Sequence, residues 1–421
     1  MKKSKPNPNH TKFNLYGLTK ILFLVITLLF LASCSNEKED GELNPSSNST
    51  NKVSKETIIL IAQNFFKNTS ITGKNVIQNR TIKSTKEYVT SKKESAFYVI
   101  NYNEGGFIIL AADNRVSPIL AYSDSGNFAT TDQQIIPPVA YWMEGQKKEI
   151  QAKISNNQVQ TKEIKSEWNA ITNKSTAQIK TTSKTSYVEP EDPTSCPDYS
   201  TYVKGPLLTT NWGQGDGYNN LLALNCSHDY YFGYKAATGC VATSMAQIMR
   251  YFQKPNTYNW NNMPNNGQYG YGTYDIQLLM KNAGASVNMS YGCGLSSAVT
   301  ANAATALKNT FGYHYATFGN FNLNTVIQNL NNNRPVILTG GTNSGGSYVN
   351  GHAWVCDGYS QTTIYHKDDY GVCLGASTYQ AILHMNWGWD GDYNGYYSVG
   401  SFNPGTYTFN YQNGMLYDIG L

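Results

Sequence analysis

The sequence is poor in charge, and it has no apolar run long enough to span a membrane. Charged residues make up 14% of its 421 residues, and the formal net charge is +4. This balance does not provide the basic surface that nucleic-acid binding requires. The apolar run at residues 21–31 is shorter than the about 20 residues that a transmembrane helix needs. No Cys-x-x-Cys pair occurs, so neither a zinc site nor another metal or cofactor is predicted.

The short apolar run near the N-terminus has the length of a signal-peptide core. Lysines precede it, and Leu31-Ala32-Ser33-Cys34 ends it. These four residues resemble a bacterial lipobox, in which the cysteine is lipidated and becomes the mature N-terminus. The pattern predicts a signal peptide over residues 1–33, a polar tether over 34–52 and a lipid anchor in the bacterial cell envelope. A plain signal peptide, with Cys34 as an ordinary residue, is the alternative.

A small α+β unit is predicted over residues 53–157. Its pattern is an amphipathic helix at 55–68, apolar strands around the turn Asn103-Glu104-Gly105, and a helix that begins at Pro137-Pro138. The unit contains neither histidine nor cysteine, so it lacks the groups of a nucleophilic site. Residues 158–195 lose the apolar periodicity and are rich in Lys, Thr, Ser and Asn, which predicts an exposed, protease-sensitive linker.

The remaining region, residues 196–421, begins with helical patterns and ends with strand patterns. This order favours an α+β fold in which a helical half faces a twisted antiparallel sheet. One predicted helix starts at Cys240, and three others cover 274–283, 298–311 and 324–331. The predicted strands cover 335–339, 351–357, 380–386 and 395–399.

Cys240 stands at the start of an amphipathic helix. Val241, Met245 and Phe252 belong to its apolar face. Free backbone N–H groups and the positive end of the helix dipole stabilise a thiolate at this position. Gly239 has no side chain, so a substrate backbone can approach the sulfur. The stretch predicts a nucleophilic cysteine, and the alternatives are a buried structural cysteine or half of a disulfide.

A nucleophilic thiolate needs a base, and the base needs an acceptor that orients it. His352 opens a predicted strand in Gly351-His352-Ala353 and is the predicted base. His384 and Asn386 lie two residues apart on one face of the next strand. The amide oxygen of Asn386 can accept the imidazole N–H, while Trp387 excludes water. The other histidines are interpreted as solvated, structural or part of the leader: His10, His228, His314 and His366.

The order Cys240, Gly351-His352-Ala353, Asn386-Trp387-Gly388 is that of papain-like cysteine peptidases. With Ala237-Thr238-Gly239 before the cysteine and His384-Met385 before the asparagine, the chain resembles the streptopain family over about residues 206–404. The resemblance implies a papain-like catalytic domain. It also implies that Cys240 is the nucleophile, His352 the base, Gln214 the oxyanion donor, and Asn386 and Trp387 the supports of the histidine.

The N-terminal unit resembles the propeptide of the same family, through the strand pair around Gly105-Gly106-Phe107. The expected protein is a secreted, lipid-anchored cysteine endopeptidase, made as a zymogen and matured within 158–195. Its expected partners are protein or peptide substrates, its own propeptide as inhibitor, and a membrane through Cys34. Two other functions remain open, a Cys/His amidase of cell-wall peptides and a non-catalytic surface binding module on a peptidase scaffold.

Two features depart from the family pattern. Residues 359–381 form an insertion between the strands of His352 and Asn386, and it is expected near the cleft. Several further cysteines are present, and an oxidising compartment permits them to form disulfides. With Cys240 free, an odd number remains, so at least one more is unpaired. The pairing stays open among Cys196, Cys226, Cys293, Cys356 and Cys373.

Overall fold

The structure is a computed structural model, and the predicted signal peptide, Cys34 and the tether up to residue 50 lie outside the residues that it describes. Among the described residues, no helix combines the length and the apolar character that crossing a membrane requires. The described residues are 51–67, 78–131, 135–181, 196, 199–229, 232–267, 271–344, 346–368, 370, 372–378, 381–399 and 411–421.

The N-terminal region packs helices on an antiparallel meander. Its elements are α1 Lys55–Phe65, β1 Ile82–Val89, β2 Ser95–Tyr102, β3 Phe107–Ala111, β4 Ile119–Ser123 and α2 Pro137–Ser155. Helix α1 begins after Ser54, whose hydroxyl accepts the N–H of Thr57 at 3.2 Å and so caps the helix. Strand β2 is buried along its whole length, as expected of an inner strand covered on both faces.

Helix α3 (Lys162–Thr181) follows, where the sequence predicts an exposed linker. Trp168 is buried and donates its indole N–H to the carbonyl of Val116 at 2.8 Å. Ile164, Trp168 and Ile171 form an apolar stripe at i, i+4 and i+7, and the polar residues around it hide this period. The prediction of irregular structure from 158 onward is therefore wrong for α3, and residues 182–195 lie outside the described residues.

The C-terminal region, from Tyr199 to Gly420, adds a helical half and most of the sheet. Its helices are α4 Cys240–Phe252, α5 Tyr274–Ser286, α6 Asn302–Asn309 and α7 Leu323–Asn331. Its strands are β5 Tyr199–Lys204, β6 Tyr315–Asn320, β7 Val336–Ser344, β8 Ser347–Lys367, β9 Cys373–Thr378, β10 Ile382–Asn386, β11 Gly395–Ser398 and β12 Tyr411–Gly420.

One sheet runs through both regions, in the order β1-β2-β3-β4-β11-β10-β8-β7-β12-β6. The regions join where β4 pairs with β11, with Tyr122 opposite Tyr396 and Ala121 opposite Tyr397. Alternate residues of β8 face different cores. Ala353 and Val355 pack with the helices α4, α5 and α6, while Trp354 and Cys356 belong to a core that continues into the N-terminal region.

The insertion at 359–381 prolongs β8 into a ribbon with β5 and β9. At about 3.3 Å per residue, Ile364 lies roughly 40 Å along the strand from His352. Thr362 and Ile364 line a cavity of about 240 Å³ whose other walls include α2 and α3. These residues of the insertion therefore face the N-terminal region, and the expectation that they border the cleft is wrong.

Disulfides pair four of the cysteines whose connectivity the sequence leaves open. Cys196, three residues before β5, bonds Cys373 of β9, and Cys226 bonds Cys293. Cys240 and Cys356 are free thiols. This pairing leaves the predicted nucleophile available and accounts for the odd cysteine.

Candidate active site

The predicted nucleophile is the first residue of α4. Gly239 precedes it with a positive φ of 89°, and Met289 occupies the space that a side chain there would need. Both the backbone conformation and the close contact require glycine. Cys240 as a whole residue is partly exposed at the helix start, while its sulfur is buried. The structure confirms the predicted position of Cys240 at the start of the helix.

The thiol of Cys240 lies where the helical half meets the sheet. The N–H groups of Ala353, Val241 and Cys240 itself interact with the sulfur and lower its pKa, but burial outweighs them, so the pKa of the thiol is raised. The hydroxyl of Ser244, one turn along α4, donates to the carbonyl of Ala353 at 3.2 Å. This bond fastens α4 to β8 beside His352. The helix start alone predicts a lowered pKa, and desolvation reverses the direction.

His352 is 7% exposed at the near end of β8. Its Nε2 lies 2.9 Å from the carbonyl oxygen of Trp387, and its ring stacks on Trp354 at 5.9 Å. A carbonyl only accepts, so Nε2 carries the proton and Nδ1 is the nitrogen left to accept one. Burial lowers the pKa of His352 to about 4, because the charged imidazolium is poorly solvated there.

Asn386 is buried, but its amide serves Gln247 of α4 and not His352. Gln247 Nε2 donates to Asn386 Oδ1 at 3.2 Å, and Asn386 Nδ2 donates to the carbonyl of Thr210 at 2.8 Å. Gly388 N–H also donates to Asn386 Oδ1, at 3.3 Å. The expected hydrogen bond from the imidazole N–H to the Asn386 amide oxygen is thus replaced by one to the carbonyl oxygen of the next residue, Trp387. Asn386 instead fixes the backbone that carries this carbonyl.

Trp387 holds that carbonyl in place with its own side chain. It is 1% exposed, its backbone N–H donates to Asn394 Oδ1 at 3.0 Å, and its indole N–H donates to the carbonyl of Tyr393 at 3.1 Å. Its ring contacts Trp354 at 5.2 Å. Trp387 therefore orients His352 through its main chain and excludes water from the bond with its ring.

Gln214 lies on the other side of the site and is 8% exposed. Its carbonyl accepts the N–H of Thr238 at 3.0 Å, which ties the Gln214 loop to the turn before Cys240. Gln247 joins the same loop, because its Oε1 accepts from Thr210 Oγ1 at 2.9 Å and from Trp212 N–H at 3.3 Å. The structure thus joins the Gln214 loop to the turn before Cys240, and it brings the Cys240 sulfur to the residue after His352.

Gln247 is a residue of the site that the sequence interpretation missed. It links the Gln214 loop to Asn386 from the middle of α4, where it is fully buried. A sequence signal was present, since Gln247 follows Cys240 by two helical turns and so shares its face. His384 stands apart from the site, with its Nδ1 2.6 Å from Asp357 Oδ1. His366 lies on β8, not in a loop, and contacts Ser377 at 2.7 Å.

Comparisons with known proteins agree with this geometry. Residues 212–397 match the Peptidase C10 family, and residues 50–150 match the Spi protease inhibitor family. The chain is 28% identical over 355 residues to streptopain of Streptococcus pyogenes serotype M1. The aligned region covers 74% of this chain and 75% of streptopain. The chain is a cysteine peptidase similar to streptopain.

Two further relatives extend this assignment. The peptidase is 27% identical over 353 residues to the thiol protease/hemagglutinin PrtT of Porphyromonas gingivalis, covering 75% of this chain and 35% of that protein. Its structure matches a prointerpain A fragment of Prevotella intermedia with a TM-score of 0.52 and 25% identity, covering 81% of this chain and 99% of the fragment. Together with the inhibitor match, these results confirm the predicted α+β fold with a propeptide-like N-terminal domain.

Proposed function

We propose that this peptidase is made as a lipid-anchored zymogen and that its mature form is an endopeptidase with Cys240 as nucleophile. The observation that carries the proposal is the contact between α4 and β8. The Cys240 sulfur lies at the N–H of Ala353, and the residue before Ala353 is a histidine with an oriented Nε2 and a free Nδ1. A thiol beside an imidazole that can accept its proton is the requirement for thiolate attack.

The reaction follows from these groups. Nδ1 of His352 takes the thiol proton while the sulfur attacks the peptide carbonyl, and the C=O electron pair becomes an oxyanion. The N–H of Cys240 and the amide of Gln214 stabilise that charge. The C–N bond then breaks, and the imidazolium gives its proton to the leaving amine. His352 then takes a proton from a water molecule, and this water attacks the thioester carbonyl. The C–S bond breaks, and the imidazolium returns its proton to the sulfur, which restores the thiol.

The N-terminal region is proposed to inhibit this site until it is released. Its aromatic side chains pack on the loop that carries the acceptor of His352 and on the strand that follows it. Phe128 contacts Tyr393 of the loop at 5.2 Å, and Trp142 contacts Tyr397 of β11 at 5.0 Å. Because α3 is an ordered helix, we place the maturation cleavage in the polar sequence of residues 182–195.

The decisive experiment compares the chain from Ser35 onward with its Cys240→Ala variant. Casein and peptidoglycan are supplied as substrates with and without a thiol alkylator, and chain length is followed over time. We expect alkylator-sensitive casein cleavage and shortening of the wild type, and neither in Cys240→Ala. Cys356→Ala, which removes the other free thiol, is the matched control and should behave like the wild type. Cleavage of peptidoglycan alone would identify an amidase and overturn the proposal.

Anchoring in the cell envelope is proposed from the lipobox that ends at Cys34. Full-length protein made in bacteria fed labelled palmitate should carry the label and sediment with membranes. The Cys34→Ala variant should lose both properties, while Cys240→Ala should keep both. Equal labelling of the two variants would refute the anchor.

A further inference from the structure

A carboxyl group connects the two loops that hold the acceptor of His352 and the oxyanion donor. Asp390 follows Trp389 in the loop between β10 and β11, with a positive φ of 57° that is uncommon for a residue with a side chain. Its carboxyl group occupies the space that a side chain at Gly213 would need. The carboxyl therefore lies directly against the Cα of Gly213, the residue before Gln214.

The hydroxyl of Tyr218 is the hydrogen-bonding partner of this carboxyl. Tyr218 is 1% exposed, and its hydroxyl interacts with Asp390, accepts the N–H of Gly267 at 2.8 Å and lies 3.5 Å from the carbonyl oxygen of Asn211. The N–H of Gly213 also interacts with the Tyr218 oxygen. Asp390 Oδ1 is buried without a hydrogen-bond partner. The carboxyl thus closes a small network that consists otherwise of neutral groups.

Further contacts join the same two loops beside Asp390. Asn394 Nδ2 donates to Asn211 Oδ1 at 3.3 Å. A side chain at Gly391 would meet Asn211 at 3.1 Å, so the backbones approach closely there as well. Since the Asp390 loop also includes Trp387, the distance between the His352 acceptor and Gln214 depends on these contacts.

We propose that Asp390 is a positioning residue that fixes Gln214 relative to His352. The proposal rests on the proposed function, in which Gln214 stabilises the oxyanion. A fixed donor accelerates the reaction only if it already stands where the charge develops, and a displacement of about 1 Å costs up to about 100-fold in rate. Asp390 acts through Gly213 and touches neither substrate nor sulfur.

The protonation state of Asp390 decides whether the contact holds. Burial raises the pKa of Asp390 to about 7, the hydrogen bond from Tyr218 opposes the rise, and Asp392 adds to it. These are the titratable groups that face it, Tyr218 from the neighbouring loop and Asp392 from its own. Because the pKa of Asp390 is raised, the contact of its neutral carboxyl with Gly213 is fully present at low pH. The contact is lost as pH rises through about 7 and the carboxyl ionises.

The test measures kcat and KM for a peptide substrate from about pH 5.5 to about pH 9, on both sides of the Asp390 pKa of about 7. The full chain from Ser35 is matured by tagged wild-type enzyme, which is then removed. In the wild type kcat should decline as pH rises above about 7. Asp390→Asn, neutral at every pH, should keep its kcat there. Asp390→Ala should lose about 10- to 100-fold in kcat at pH 6 with little change in KM.

Two controls make the outcome decisive. Asp392→Asn changes the neighbouring exposed carboxyl. It should keep the wild-type kcat at pH 6 and the alkaline decline, which moves to slightly lower pH because Asp392 no longer adds to the pKa of Asp390. Alkylation of Cys240 develops no oxyanion, so Asp390→Ala should be alkylated at nearly the wild-type rate. An Asp390→Asn variant that declines like the wild type overturns the proposal, as does equal loss of alkylation and hydrolysis in Asp390→Ala. If Asp390→Ala does not fold, the Asn profile decides. Wild-type hydrolysis that survives alkylation refutes the proposed function instead.

Discussion

The N-terminal region and the C-terminal region both bury ionisable side chains, but the groups around them differ. In the N-terminal region Arg115 donates to both oxygens of Asp113, from Nε at 2.8 Å and from Nη2 at 2.6 Å. These bonds raise the pKa of Arg115, so its guanidinium stays charged. In the C-terminal region burial dominates, and it raises the pKa of Cys240 and lowers that of His352. Both of these groups are therefore neutral.

The difference separates a stabilising role from a chemical one. A closed ion pair has its hydrogen-bonding capacity filled and keeps its protons in place. A neutral thiol near a neutral imidazole holds a proton that can move when a substrate arrives. His384 shows that the distinction does not follow region boundaries, because it lies in the C-terminal region and is already bonded to Asp357.

The largest expected effect comes from replacing His352, in comparison with the partly exposed His384 on the adjacent strand. His352→Ala should reduce hydrolysis nearly as much as Cys240→Ala, because in the proposed mechanism the two residues act as one catalytic unit. His384→Ala should leave kcat near the wild-type value and lower the melting temperature, since it leaves Asp357 buried without its partner. Peptide hydrolysis and thermal unfolding of both variants check this. Activity that survives the first change but not the second would show that His384 is the base.

The neutral donor of the site should have the next largest effect. Gln214→Ala should lower kcat by about 10²- to 10³-fold with folding intact, because the oxyanion loses a fixed donor. Alkylation of Cys240 should change much less. Gln328→Ala, an exposed glutamine on α7, is the matched control. A decrease below about threefold would remove Gln214 from the mechanism.

The N-terminal region should inhibit in trans, and α3 should strengthen that inhibition. A fragment of residues 51–181 should inhibit the mature enzyme at least about 10-fold more tightly than residues 51–157, because Trp168 and Ile171 are buried in the fold. Inhibition constants from peptide hydrolysis measure the difference. Trp168→Ala in the longer fragment should abolish it. Equal inhibition by the two fragments would show that α3 is dispensable.

Glu167 on α3 is an exception to the difference between the regions. It belongs to the N-terminal region, yet burial and not an ion pair sets its pKa. Burial raises its pKa from 4.5 to about 7, and a hydrogen bond with Ser117 opposes the rise. Its contribution to stability is therefore present below 4.5 and lost as pH rises through about 7. At pH 8, the chain with both Cys240→Ala and Glu167→Gln should melt about 1–3 °C higher than the chain with Cys240→Ala alone. Glu163→Gln, in the exposed first turn of α3, should not.

The elements that carry chemistry were predictable because their signals are local. The helix start at Cys240, the strand that opens at His352 and the α2 helix from Pro137 all follow from short patterns of apolar residues and breakers. Strands β5, β9 and β12 were not predicted, because their pairing with β8 and β7 stabilises them more than their own sequences do.

Contacts between distant segments account for the other differences. The disulfides depend on which loops meet, and nothing in their spacing reveals it. Asn386 has the side chain needed to bond an imidazole, yet Gln247, which precedes it by 139 residues, takes its amide. The pKa of Asp390 depends on burial against Gly213, which is also a product of the fold.

The short seam between β4 and β11 bears on how the mature enzyme stays soluble. Removing the N-terminal region uncovers an edge of the sheet, and an open edge is a template on which a second chain can add a strand. Here the uncovered strand has only 4 residues. A template this short binds another strand weakly, so we expect the released peptidase to resist the edge-to-edge aggregation that a longer seam would invite.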